Sequence, residues 1–95
     1  MKKVILYTMK GCPWCLDMKA KLKESKIKFI ERDIDKHKDE YDLFVEATGN
    51  DFVPAFMLIE IKNGNSSNVK LMAPDKDFQD LNEALNKVQN YLIIE

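Results

Sequence analysis

Val4-Ile5-Leu6-Tyr7-Thr8-Met9-Lys10-Gly11-Cys12-Pro13-Trp14-Cys15 is the stretch from which the rest of the chain is read. Its first four residues form a continuous apolar, β-favouring run, the signature of a central strand buried on both faces. The chain then breaks at Gly11, and Pro13 suits the first helical position, where its missing N–H would have no partner anyway. A helix is expected from Pro13 to about Ser25. Cys15, Met18 and Leu22 lie on one face, and Lys19, Lys21, Lys23 and Lys26 are among the exposed positions. A strand that feeds directly into a helix is the opening of a β-α-β unit.

Outward from this stretch, Ile27 to Ile34 alternates as a second strand. Asp35 suits the N-cap of a short helix through Tyr41, Phe44 and Ala47, closed by Gly49. Ala55 to Ile61 is a third strand, and Asn63-Gly64-Asn65 turns the chain into a fourth around Val69 to Met72. Phe78, Leu81, Leu85, Val88 and Leu92 follow helical spacing in a last helix opened by Asp75 or Asp77. The order β-α-β-α-β-β-α predicts an α/β fold with a four-stranded mixed sheet. The first pair of strands is parallel, the terminal hairpin is antiparallel, and helices flank both faces. Val4, Ile5, Leu6, Phe56, Leu58, Leu81, Leu85 and Val88 are the expected core, each worth roughly 1.5–3 kcal/mol when buried.

The chain has 95 residues, which fits a single domain over 1–95. Its 15 basic and 16 acidic residues leave a net charge of −1. That balance argues against a nucleic-acid module with a basic surface and against a polybasic membrane anchor. The longest apolar run, Ala55 to Ile59, falls far short of the roughly 18 residues that span a bilayer. The first residues have the charged start of a secretory signal, but their apolar stretch ends after four residues, so a cytosolic protein is expected. The charges are nonetheless segregated. Residues 1–38 carry 11 basic and 5 acidic side chains, and residues 39–95 carry 4 and 11. Solvated faces account for such a split, and a basic side near Cys12 that steers anionic thiol substrates is the functional alternative.

Cys12 and Cys15 are the only two cysteines, and a random pair in this length would fall three apart in about 2% of cases. At a strand-to-helix junction Cys12 becomes the N-cap, where free N–H groups and the positive end of the helix dipole meet its sulfur. Both favour thiolate, and Lys10 adds a charge two residues away. Motifs of this type lower a cysteine pKa from about 8.5 to roughly 3.5–7.5. Cys12 is therefore the expected attacking sulfur, and Cys15, a turn further on the apolar face, the resolving one. The alternatives at this stage are half of a zinc site, inert core thiols, or an iron–sulfur cluster shared with outside ligands. His37, the one histidine, reads as a surface residue near a helix start.

These residues make the chain similar to the glutaredoxins of the thioredoxin-like superfamily. The matching features are Lys10-Gly11-Cys12-Pro13-Trp14-Cys15 after the first strand, Thr48-Gly49, Val53-Pro54 before a strand, and Ala73-Pro74-Asp75-Lys76-Asp77 before the last helix. The resemblance implies a thioredoxin-like fold and a dithiol enzyme that reduces protein disulfides or glutathione mixed disulfides, with glutathione as co-substrate and no metal required. It implies a cis Pro54 beside the active sulfurs and a Val53 peptide group paired with the glutathione backbone. Lys10 would face the glycine carboxylate, Trp14 would form a groove wall, and Lys76 and Asp77 would receive the γ-glutamyl end. Ribonucleotide reductase is an acceptor of the family type, and a monomer is the expected state. The chain departs from the family at Phe52, at Asp51 where a basic residue is frequent, and at Ala73-Pro74 in place of Gly-Gly. Within the same chemistry, the rival is a thioredoxin-like donor recharged by thioredoxin reductase. Outside it stand an iron–sulfur carrier and a binding module with an idle disulfide.

Overall fold

The apolar run Val4–Tyr7 lies inside strand β1 (Lys2–Thr8) of a computed structural model that describes residues 1–93. Helix α1 (Pro13–Glu24), β2 (Ile30–Asp33), α2 (Lys38–Thr48), β3 (Ala55–Lys62), β4 (Asn65–Met72) and α3 (Leu81–Ile93) follow in that order. The sheet runs β2-β1-β3-β4, with β1 parallel to β2 and antiparallel to β3, and β3 antiparallel to β4. This is the mixed four-stranded α/β arrangement that the element order implies.

The alternation of β1 sends its side chains into two separate cores. Val4 and Leu6 pack with Met18 and Leu22 of α1, Phe56 and Leu58 of β3, and Ala84 and Val88 of α3. Ile5 and Tyr7 face the other way, against Tyr41 and Phe44 of α2. The rings of Tyr7, Tyr41 and Phe44 lie with centroids 5.2–5.9 Å apart. The Tyr7 hydroxyl donates to Glu40 at 2.5 Å, and Arg32 pairs with the same carboxylate. Burial first, then that hydrogen bond, pushes the Tyr7 phenol well above its ordinary pKa.

Several expected boundaries move, each for a local reason. The second strand begins at Ile30 rather than Ile27, because α1 ends in a Schellman arrangement. Lys26 sits at φ 58°, its N–H bonds the Lys23 carbonyl, and the Ile27 N–H reaches back to the Leu22 carbonyl at 2.9 Å. Asp35 does not cap α2. The Asp33 carboxylate accepts the Asp35 N–H in a tight turn, and His37, exposed, stands at the cap position without a side-chain bond. β4 starts at Asn65, four residues before the apolar signal at Val69, because edge pairing with β3 holds a polar segment extended. Neither Asp75 nor Asp77 opens α3. Asp80 does so, its carboxylate accepting the Glu83 N–H at 2.8 Å. The helix accordingly buries Ala84 and Val88 fully. Leu81 and Leu85 are only partly buried, Leu92 is exposed at the far end, and Phe78 is buried but precedes the helix.

Candidate active site

The interior strand β1 ends at Thr8, and Met9-Lys10-Gly11 turns the chain into α1. Gly11 takes φ +77°, a conformation that side chains rarely adopt. Cys12 follows as the N-cap in extended backbone, and its Sγ accepts the N–H of Cys15 at 3.1 Å. Pro13 holds the first helical position, where it withholds no needed donor. Cys12 and Cys15 are joined as a disulfide with Cα atoms 5.2 Å apart. Cys15 is 2% exposed and Cys12 7%, so the first cysteine keeps slightly more access than the second.

One cleft is lined by this disulfide and a second by Trp14, which stands between the two cysteines in sequence. On the β2 side, a cleft of about 250 Å³ is lined by both cysteines, Thr8, Lys10, Lys19 and Glu31. Three of its polar side chains are bonded together, and Lys10 and Asp33 stand outside that group. The Glu31 carboxylate accepts from the Thr8 hydroxyl at 2.8 Å and pairs with the Lys19 ammonium at 3.1 Å. The Lys19 bond first, then that of Thr8, holds Glu31 below the usual carboxylate pKa.

On the α3 side, a groove of about 270 Å³ runs between Trp14 and Phe52, past Val53 and Pro54, to the loop before α3. The Val53–Pro54 peptide bond is cis, and Pro54 is buried at the entrance to β3. The β1–β3 ladder reaches only to the pair Tyr7–Ala55, so Val53 precedes the paired residues. Trp14 is 61% exposed and Phe52 58%, and the charged side chains of the lining are Asp75 and Asp80. A larger cavity, about 390 Å³, lies at the opposite end of the molecule around Lys2, Lys70, Lys87 and Tyr91, away from the cysteines.

The structure thus gathers Trp14, Val53 and Pro54 into one groove and sets Lys10 in the other cleft. Lys76 and Asp77 line neither. The Lys76 ammonium bonds the Thr48 carbonyl at 3.0 Å, and the Asp77 carboxylate accepts the Ala73 N–H at 2.8 Å. Their backbone N–H groups both turn back to the Ala73 carbonyl, so they are not the free donors of a helix start. Sequence reading alone missed Asp80, although Asp80-Leu81-Asn82-Glu83 carries a capping pattern that marks it. It also missed Glu31, which has no local signal because strand pairing brings it to the cysteines. Among the described residues no three His, Cys, Asp or Glu side chains gather as a metal centre requires, and no helix is long and apolar enough to cross a membrane.

A Cys-x-x-Cys pair at the mouth of a helix, set on a mixed four-stranded sheet, defines a thiol–disulfide oxidoreductase of thioredoxin-like fold. The solved structures it resembles share that architecture at low identity. One is a mutant of the thioredoxin-like protein BC3987 (TM-score 0.59, 19% identity, 95% of this chain and 99% of that one covered). Another is glutaredoxin 1 from Francisella tularensis in complex with cacodylate (0.53, 21%, 97% and 98%). A third is oxidised thioredoxin from Plasmodium falciparum (0.52, 22%, 92% and 80%). The glutaredoxin family model matches residues 4–58, and the chain belongs to the glutaredoxin family. No curated protein matches it.

Proposed function

We propose that this protein reduces protein disulfides by dithiol exchange, with Cys12 attacking, Cys15 resolving and glutathione restoring the dithiol. The observation that carries the reading is the N–H of Cys15 directed at Cys12 Sγ from the first turn of α1. In the reduced protein that donor and the helix dipole both favour a Cys12 thiolate. The thiolate attacks one sulfur of the substrate disulfide, forming a mixed disulfide and expelling the other sulfur as thiolate. The Cys15 thiolate then attacks Cys12 Sγ, closing the Cys12–Cys15 disulfide and releasing the second substrate thiol. Two electrons have passed to the substrate. Two glutathione thiols return them, leaving as glutathione disulfide.

Glutathione as the recharging thiol is supported by the family and by Val53, whose peptide group lies beyond the β3 ladder, at the edge of the Trp14 groove. A peptide thiol can add there as one more extended strand. A second reading, recharge by thioredoxin reductase, is favoured by one observation. Lys76 and Asp77 are bonded within the protein, and the groove's charged side chains are acidic. Turnover of a protein disulfide, supported either by glutathione with its reductase or by thioredoxin reductase, separates the two. Alkylation of Cys12 by iodoacetamide across pH tests their shared basis. A midpoint well below 8.5 is expected, and an ordinary thiol titration overturns the assignment.

A further inference from the structure

The dithiol reading leaves open which disulfides the site selects, and the two parts of the Trp14 groove's lining narrow that choice. One part is apolar. Trp14 and Phe52 hold more than half of their surface in water beside Pro54 and Phe78, an arrangement that covering by a partner would stabilise. The charged part is anionic. Asp75 and Asp80 line it, no basic side chain does, and neither carboxylate has a cationic partner among the described residues. Lys76, the nearest basic residue in sequence, is turned to the Thr48 carbonyl. The Asp80 carboxylate and the Asp75 backbone are held in place. Asp80 caps α3 through the Glu83 N–H, and the Asp75 N–H bonds the Phe78 carbonyl at 2.8 Å.

We propose that this groove receives an extended segment of a protein disulfide that carries an apolar side chain and, beside it, a lysine or arginine. The apolar side chain lies between Trp14 and Phe52, the backbone passes Val53, and the cation meets Asp75 and Asp80. This deepens the proposed function and rests on it. It also separates the protein substrate from glutathione, which presents two carboxylates and a single ammonium to a groove whose own charges are negative.

The test uses the full-length protein and three disulfide peptides of one sequence, apart from a Lys, Gln or Glu next to the cysteine. At low ionic strength kcat/KM is expected to favour the Lys peptide over the Glu peptide by about fivefold, the range expected of two solvent-exposed charge contacts. The ratio should shrink as salt screens them. In a double variant Asp75→Asn and Asp80→Asn it should fall close to one. Asn retains the helix cap at 80 and tolerates the positive φ at 75. Glu46→Gln, an exposed change on α2, should leave the ratio as it is. A ratio near one or reversed in the unaltered protein overturns the proposal, as does a preference that survives the double variant. If none of the three peptides is reduced, the dithiol reading itself has failed. If all three are reduced equally, only the charge assignment has.

Discussion

The clefts lined by the disulfide and by Trp14 are nearly equal in size and opposite in construction. On the β2 side one carboxylate of the lining is already paired, with Thr8 and Lys19 both bonded to Glu31. On the α3 side, two carboxylates without cations face two aromatic side chains that are mostly in water. A surface whose charges are already paired has little to gain from a ligand. One that leaves both carboxylates and apolar surface uncovered gains from each contact it makes. The difference is why the proposal places the substrate in the second cleft and not in the first.

The largest expected effect is at the disulfide. Cys12→Ser should lower reduction of every disulfide by about a thousandfold or more, because the step that begins exchange is lost. Cys15→Ser should spare measurable activity on glutathione mixed disulfides, where a second glutathione can resolve Cys12. Rates measured with both variants check this. Activity that survives in the Cys12 variant and vanishes in the Cys15 variant would reverse the two roles.

Removing the floor of one cleft breaks the comparison more selectively. Phe78 is buried edge-on to Phe56, with ring centroids 6.0 Å apart, and anchors the loop that carries Asp75 and Asp80. Phe78→Ala should cost about 3–5 kcal/mol in denaturant titrations. Phe78→Leu, which keeps more of the volume, should cost less and leave a folded protein for kinetics. Its Cys12 alkylation profile should match that of the unaltered protein while its choice among charged peptides weakens. A shifted alkylation profile would mean that the two clefts are not independent.

Asp77 sharpens the contrast from the loop's interior. Its carboxylate satisfies the N–H of buried Ala73, so Asp77→Ala should destabilise the fold by about 1.5–3 kcal/mol. Were the carboxylate instead a contact for the glutathione ammonium, Asp77→Ala would raise KM for glutathione without moving the unfolding midpoint. Denaturation curves beside glutathione titrations tell the two apart.

What could be read from the chain beforehand follows the same division. β1, the cysteine helix and the Ala55 strand were legible because apolar periodicity and Pro13 are local signals. The β2-side cleft was half legible. Lys10 and the cysteines are adjacent in sequence, but Glu31 joins them through the register Leu6–Glu31 between parallel strands. The α3-side groove was legible in Trp14, Val53 and Pro54 and obscure in its charges. Asp75, Lys76, Asp77 and Asp80 look alike in a polar loop, and backbone hydrogen bonds decide which of them face out. Lys26 in the left-handed region, where glycine is the usual marker, hid the end of α1 in the same way.

The smallest effect tests whether the β2-side cleft is self-satisfied. Glu31 is held below its ordinary pKa of 4.5 by Lys19 and then by Thr8, so its charged form is favoured in the folded state. Its contribution to stability is therefore complete above the unfolded value and is lost as pH falls through the lower folded one. The Glu31 side chain is 41% exposed, and solvent screening limits the contribution to about 0.5 kcal/mol. Glu31→Gln should flatten the acid limb of the stability profile below pH 4.5 by that amount and leave the preference among charged peptides intact. Acid titration of the unfolding midpoint reads the first effect and peptide kinetics the second. A large change in peptide preference would show that the paired cleft, too, meets the substrate.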